Sequence, residues 1–255
     1  MYEQASQAAL DVINNHPYGL WEDFSDNFRI PNRGGKESIF SVGFGTGGGA
    51  ISFWEVGQFN VRLLPSRLSS EAGITNAQGW QYATNDLYET FADTDERKEA
   101  TFLTQFVAND GSNVILDRVW IDKYWDRTAE PNGGDSNQDF PVIRYADVLL
   151  VYAEAQARLG NFGVANDYLN MVRERAGLGE ISATNMEDFI DLILEERGRE
   201  FVAEGQRWFD LTRLGRLEEA VMEAKGVSVS SHHYLFPIPQ RERDVNPNLP
   251  QNDGY

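Results

Sequence analysis

The apolar residues of this chain change period along its length, and that change sets its expected organisation. Over residues 2–14, Ala5, Ala8, Ala9, Val12 and Ile13 recur at helical spacing, and His16-Pro17 ends the run. Residues 38–44 alternate Ile39, Phe40, Val42 and Phe44 with polar positions, the pattern of a strand. Residues 43–49 hold five glycines and read as a mobile loop, and residues 50–78 show no period and read as a long irregular segment. A short helix is expected over 80–92, a strand over 100–106 and a surface loop over 130–139.

The clearest signal lies between residues 145 and 159. Ala146, Leu149, Leu150, Ala153 and Ala157 form one stripe in which small and large side chains alternate, so a second helix can approach closely. Gly160-Asn161 breaks that helix, and Tyr168, Leu169 and Val172 mark the next, over 166–176. This helix-turn-helix pattern is of the tetratricopeptide type. A third helix is expected over 186–204, capped by Asn185, and a fourth over 206–225. From Tyr234 the chain is rich in Pro and Asn and reads as extended. The fold class is therefore mostly α: helical hairpins beside an irregular, loop-rich part with a few short strands. The expected divisions are 1–20, 21–139, 140–225 and 226–255.

Composition narrows the function. The formal charge is −18, with four lysines against eighteen arginines, so the chain should repel nucleic acid. Such a surface fits an ordinary acidic protein or a salt-adapted one. Cysteine is absent, which excludes disulfides, thiolate nucleophiles and Cys-based metal sites. No apolar run approaches the ~20 residues of a membrane span.

The chemistry-bearing residues favour binding over catalysis. Glu195, Glu196, Arg197, Arg199, Glu200, Glu204, Arg207, Asp210 and Arg213 crowd one stretch, with opposite charges at pairing distance on a helix. Paired carboxylates could be a glycosidase acid and base, but neighbouring arginines hold carboxylates ionised, so an ion-pair network is expected. G-x-S-x-G and G-x-G-x-x-G are both absent. His232-His233 lacks a carboxylate at a metal-ligand spacing. Asp135, Asn137 and Asp139 alternate as in a calcium loop whose final Glu is missing. No catalytic residue, cofactor or metal site is assigned. Aromatics make up 12% of the chain, six of them Trp. Trp80 and Trp120 are expected in the core, and Trp54 stays open between core and site. Sugar rings stack on aromatic faces, and their hydroxyls need polar neighbours. Phe53, Trp54, Gln58, Asn60, Arg62 and Arg67 supply both in one segment, with Tyr124 and Trp125 as further candidates.

Five ordered strings resemble the SusD/RagB family of nutrient-binding outer-membrane lipoproteins of Bacteroidota. They are GWQYATNDLYETFADTDER (79–97), FPVIRYADVLLVYAEAQARLGN (140–161), YLNMVRERAGL (168–178), ILEERGREFVAEGQRWFDLTRLG (193–215) and YLFPIPQRERDVNPNLPQNDGY (234–255). The resemblance implies a SusD-like fold, with this chain as the C-terminal portion of a longer, lipid-anchored protein whose anchor is not in this chain. It implies non-catalytic capture of an oligosaccharide or peptide at the outward face of the outer membrane, and delivery to a SusC-like TonB-dependent transporter. It also implies that the motif strings are scaffold and that ligand residues sit in variable loops. A tetratricopeptide-like protein-binding scaffold and a glycoside hydrolase are the competing readings. One hairpin is short for a free-standing array, and the Arg-paired glutamates speak against hydrolysis.

Overall fold

A computed structural model describes residues 1–45, 57–74, 76–128 and 136–255, with Asn60 followed for its backbone only. The chain divides into two compact units, Met1–Glu204 and Gly205–Tyr255. The first contains, in order, α1 (Tyr2–Asn15), β1 (Ser38–Val42), α2 (Phe59–Leu63), α3 (Arg67–Glu71), β2 (Tyr82–Ala83), α4 (Asn85–Glu89), α5 (Arg97–Thr101), β3 (Phe102–Val107), β4 (Asn113–Ile121), β5 (Phe140–Arg144), α6 (Tyr145–Arg158), α7 (Phe162–Arg175) and α8 (Met186–Glu200). The second holds α9 (Arg207–Arg213), α10 (Leu217–Lys225) and α11 (Gln240–Val245).

The helical half of the first unit forms because α6 is apolar on the expected stripe. Ala146, Leu149, Leu150, Ala153 and Ala157 are all buried, against Ala165, Leu169 and Val172 of α7 and Phe189 and Ile193 of α8. The alanines let α7 approach closely, as the alternation of small and large residues requires. Gly160, at φ +85°, reverses the chain between α6 and α7, and Asn161 donates its side-chain amide to Gln156 Oε1 at 2.7 Å. Asn185 caps α8 by accepting from the Asp188 N–H at 3.0 Å.

The other half is built on an antiparallel sheet of order β2-β4-β3, with a second two-stranded sheet of β1 and β5. Leu103 pairs with Trp120 and Phe102 with Ile121, so β3 and β4 present large side chains to two adjoining cores.

Several expectations need correction. The segment read as irregular carries two one-turn helices, α2 and α3. Only Asn85–Glu89 of the helix expected over 80–92 is helical, and Tyr82 and Ala83 pair instead with β4. The helix expected over 206–225 is two, because Gly215 takes φ +70° between α9 and α10. The tail is not uniformly extended, since α11 interrupts it. Of the glycine loop, residues 46–49 lie outside the described residues, as do residues 130–135 of the expected surface loop.

Candidate functional site

A cavity of about 470 Å³ opens within the first unit, and α2 supplies much of its wall. Phe59, Arg62 and Leu63 stand three and four residues apart, hence on one face of that single turn, and Gln58 precedes them. Phe44, Trp80, Gln81, Tyr124, Phe140 and Ala203 complete the lining. The Phe59 ring stacks on Tyr124 at 4.8 Å between centroids and lies 6.2 Å from Phe140, nearly parallel to both. Phe44 meets Phe59 edge-on at 5.7 Å. These contacts lock the rings into one layer. The buried Tyr124 hydroxyl donates to the Ala203 carbonyl at 3.2 Å. Burial, reinforced by the nearby Glu204 charge, raises its pKa well above the ordinary tyrosine value.

Trp80 adjoins α2 in the lining and is fixed by its backbone. Its N–H donates to the Arg62 carbonyl at 2.7 Å, and the Gln78 N–H to the Val61 carbonyl at 2.8 Å. Between them Gly79 has φ +60°, and a Cβ there would meet the Trp120 ring at 2.6 Å. No other residue fits that turn without displacing a core indole. The Arg62 guanidinium sits 3.7 Å over the Trp80 ring. Gln58 Oε1 holds it through Nε at 3.1 Å and Nη2 at 2.9 Å, and Gln78 Oε1 accepts from Nη1 at 3.4 Å. Trp80 is 63% exposed, so an indole backed by a cation presents most of its surface to solvent.

Of the sequence candidates, Gln58, Arg62 and Tyr124 come together in this cavity. Phe53 and Trp54 lie outside the described residues. Asn60 is in α2. Arg67 is elsewhere, gripped by Glu71 at 2.8 and 3.0 Å and reaching the Ile115 carbonyl. Trp125 lines a separate cavity of about 340 Å³, with the Arg127 guanidinium 4.1 Å over its ring. Trp120 is buried as expected, but Trp80 is not a core residue. Sequence reading missed Phe44, Phe59, Leu63, Trp80, Gln81, Phe140 and Ala203. The available signals were the three-residue spacing of Phe59 and Arg62 and the glycine before Trp80.

Behind the cavity lies a buried ion network. Glu200, fully buried, accepts from Arg144 at 2.8 Å, from Arg97 at 3.1 Å and from Arg175. Glu37, Glu196, Asp95 and Glu204 take further donors of these arginines, and Arg173 joins through Glu196 at 3.1 Å. Burial alone would raise the Glu200 pKa, but the three guanidinium charges outweigh it and hold the carboxyl well below the usual range. A carboxylate locked in that state is no general acid. Arg197 of the same helix donates to Asp147 of α6 at 2.6 Å.

Lys123 extends the network to the cavity. Its ammonium is buried, with Glu204 Oε1 at 2.8 Å, the Val202 carbonyl at 2.9 Å and the Glu200 carbonyl at 3.3 Å. Burial pushes its pKa down to about 8, opposed by the charge of Glu204. Ala203 lies between Val202 and Glu204 in the left-handed region at φ +62°. Lys123 and Tyr124, adjacent on one segment, thus grip the three residues 202–204 and hold a strained alanine in the cavity wall.

Among the described residues, no His, Asp and Glu side chains gather in threes as a metal site. His233 Nδ1 accepts from the Ser230 N–H at 3.0 Å, and Asp139 is paired with Arg33 at 2.6 Å. Asp135 lies outside the described residues. No helix among the described residues is long and apolar enough to cross a membrane.

Solved structures share this mostly helical fold. A SusD superfamily protein from Parabacteroides distasonis matches with a TM-score of 0.82 at 28% identity, over 100% of this chain and 57% of its own. Surface glycan-binding protein A from Bacteroides thetaiotaomicron, solved in complex with laminarihexaose, matches with a TM-score of 0.79 at 26% identity, over 98% of this chain and 59% of its own. A SusD-like protein of Formosa agariphila is 30% identical over the whole of this chain, which covers 56% of that relative. The SusD family model matches residues 110–255, more than half of the chain, and the chain belongs to the SusD family. It spans about half the length of the curated relatives it matches.

Proposed function

We propose that this chain captures oligosaccharides without breaking them and hands them to a SusC-like TonB-dependent transporter, as part of a lipoprotein on the outward face of the outer membrane. The observation that carries the reading is Trp80, an exposed indole fixed by Gly79 and Arg62 at the mouth of an aromatic cavity. A sugar ring stacks its apolar face on such an indole, while Gln58, Gln81 and Arg62 meet its hydroxyls. The glycan-binding relative solved with laminarihexaose supports a sugar as the ligand. The buried, Arg-held glutamates support a non-catalytic role.

The test is a carbohydrate array beside a peptide array, both probed with the 255-residue chain. Retention of oligosaccharides without turnover of chromogenic glycosides is expected. Retention of peptides alone would replace the glycan by a peptide, and turnover would overturn the non-catalytic reading. Co-purification of a TonB-dependent transporter with the native protein tests delivery, and its absence from the membrane fraction would count against it.

A further inference from the structure

The cavity is electrically unlike the rest of the chain. The protein carries a net charge of −18, yet Arg62 is the one charged side chain among the described residues lining the site. Most arginines here are held by carboxylates, but Arg62 has no carboxylate within ion-pair distance among the described residues; neutral Gln58 and Gln78 hold it instead. Another cavity, of about 770 Å³, is by contrast lined by five carboxylates, Asp93, Asp95, Glu96, Glu99 and Asp122, against two cations, Lys98 and Arg127, which pair with Asp93 and Asp122. A guanidinium has five N–H donors, and three are used on the two glutamines. Among the described residues one N–H is left on each terminal nitrogen, matching in number two oxygens of a carboxylate or sulfate. Arg62 is half-buried, so its charge is incompletely hydrated. Charge-assisted hydrogen bonds are about twice as strong as neutral ones, so an anion gains there what a hydroxyl does not.

We propose, on the reading of this cavity as a glycan site, that its ligand is an acidic oligosaccharide, whose carboxylate or sulfate is taken by Arg62 beside a sugar stacked on Trp80. The long-range field of the chain opposes an acidic ligand. At physiological salt that field is screened within about 8–10 Å, whereas Arg62 acts at contact. The Gln58–Arg62–Gln78 bridge holds the cation in place before any ligand arrives, which limits the ordering needed on binding.

The experiment is calorimetry on the 255-residue chain with four hexasaccharides: oligogalacturonate, the same oligomer fully methyl-esterified, a sulfated galactan and laminarihexaose. At least one acidic oligomer is expected to bind about tenfold or more tightly than the neutral ones. Arg62→Gln should remove that preference, and Arg62→Lys should retain part of it, with circular dichroism reporting the fold of each. Neutral oligomers binding as well as or better than both acidic ones would overturn the acidic specificity and leave the glycan reading standing. A preference that survives in Arg62→Gln would overturn the role of Arg62. Binding of none of the four would overturn the glycan reading of the cavity together with this inference.

Discussion

The Arg62 guanidinium lies 3.7 Å over the Trp80 indole, and the backbone N–H of Trp80 donates to the carbonyl of Arg62. One residue therefore fixes both the position and the rear face of the other. Because Trp80 is largely exposed, Trp80→Ala should change stability by within about 0.5 kcal/mol. It should weaken oligosaccharide binding by about tenfold or more, ~1.4 kcal/mol. Urea denaturation and calorimetry on the same preparation separate the two effects.

Glu200 is the acceptor on which three guanidinium groups converge. Glu200→Gln leaves those cations under-compensated in the interior, and a loss of about 3–5 kcal/mol is expected. The carboxyl has its pKa lowered on folding, so its contribution is fully present above the unfolded value of about 4.3 and is lost as pH falls below it. Urea titrations of both proteins at pH 7 and pH 4 should show their difference shrinking at the lower pH.

Lys123 titrates in the opposite sense. Its pKa falls on folding, from 10.5 to about 8. Between these values the unfolded chain binds more protons than the folded one, so this group makes the protein more stable as pH rises. Tyr124, whose pKa rises on folding, begins to oppose this only near and above its ordinary value of 10. From pH 7.5 to 9.5, unfolding free energy should therefore rise in the native sequence relative to Lys123→Met. Parallel slopes for the two proteins would contradict the burial of a protonatable amine.

Ala203 sits at φ +62°, where a Cβ is disfavoured. Ala203→Gly should relieve that strain and raise stability by about 0.5–1 kcal/mol, measured by urea denaturation. Tyr124→Phe, which removes the hydroxyl held by the Ala203 carbonyl, should lower stability by about 1 kcal/mol.

The helical half was legible because its signal is local and repeated. The stripe from Ala146 to Ala157 and the Asn185 cap are set by neighbours three or four residues away. The sheet half was less so. In β4 the exposed Asp117 and Arg118 interrupt the apolar run, and its pairing with β2 and β3 is tertiary. The single-turn helix α2 is too short to nucleate alone and carries little periodicity. Charge clustering around Glu200 announced an ion network, but not its partners, which lie 25, 56 and 103 residues away. Arg62 was visible as a polar residue in an aromatic segment. Trp80 was assigned to the core instead, because its exposure depends on the β4 indole that Gly79 packs against, and the preceding glycine alone does not reveal that contact.

The most direct test of the cavity as the glycan site is a crystal structure of this chain with a bound oligosaccharide. A sugar ring within about 4–4.5 Å of the exposed Trp80 indole, with a ligand oxygen on Arg62, is the expected result. A sugar lodged instead among Asp93, Glu96 and Asp122, with the Trp80 ring still open to solvent, would contradict it.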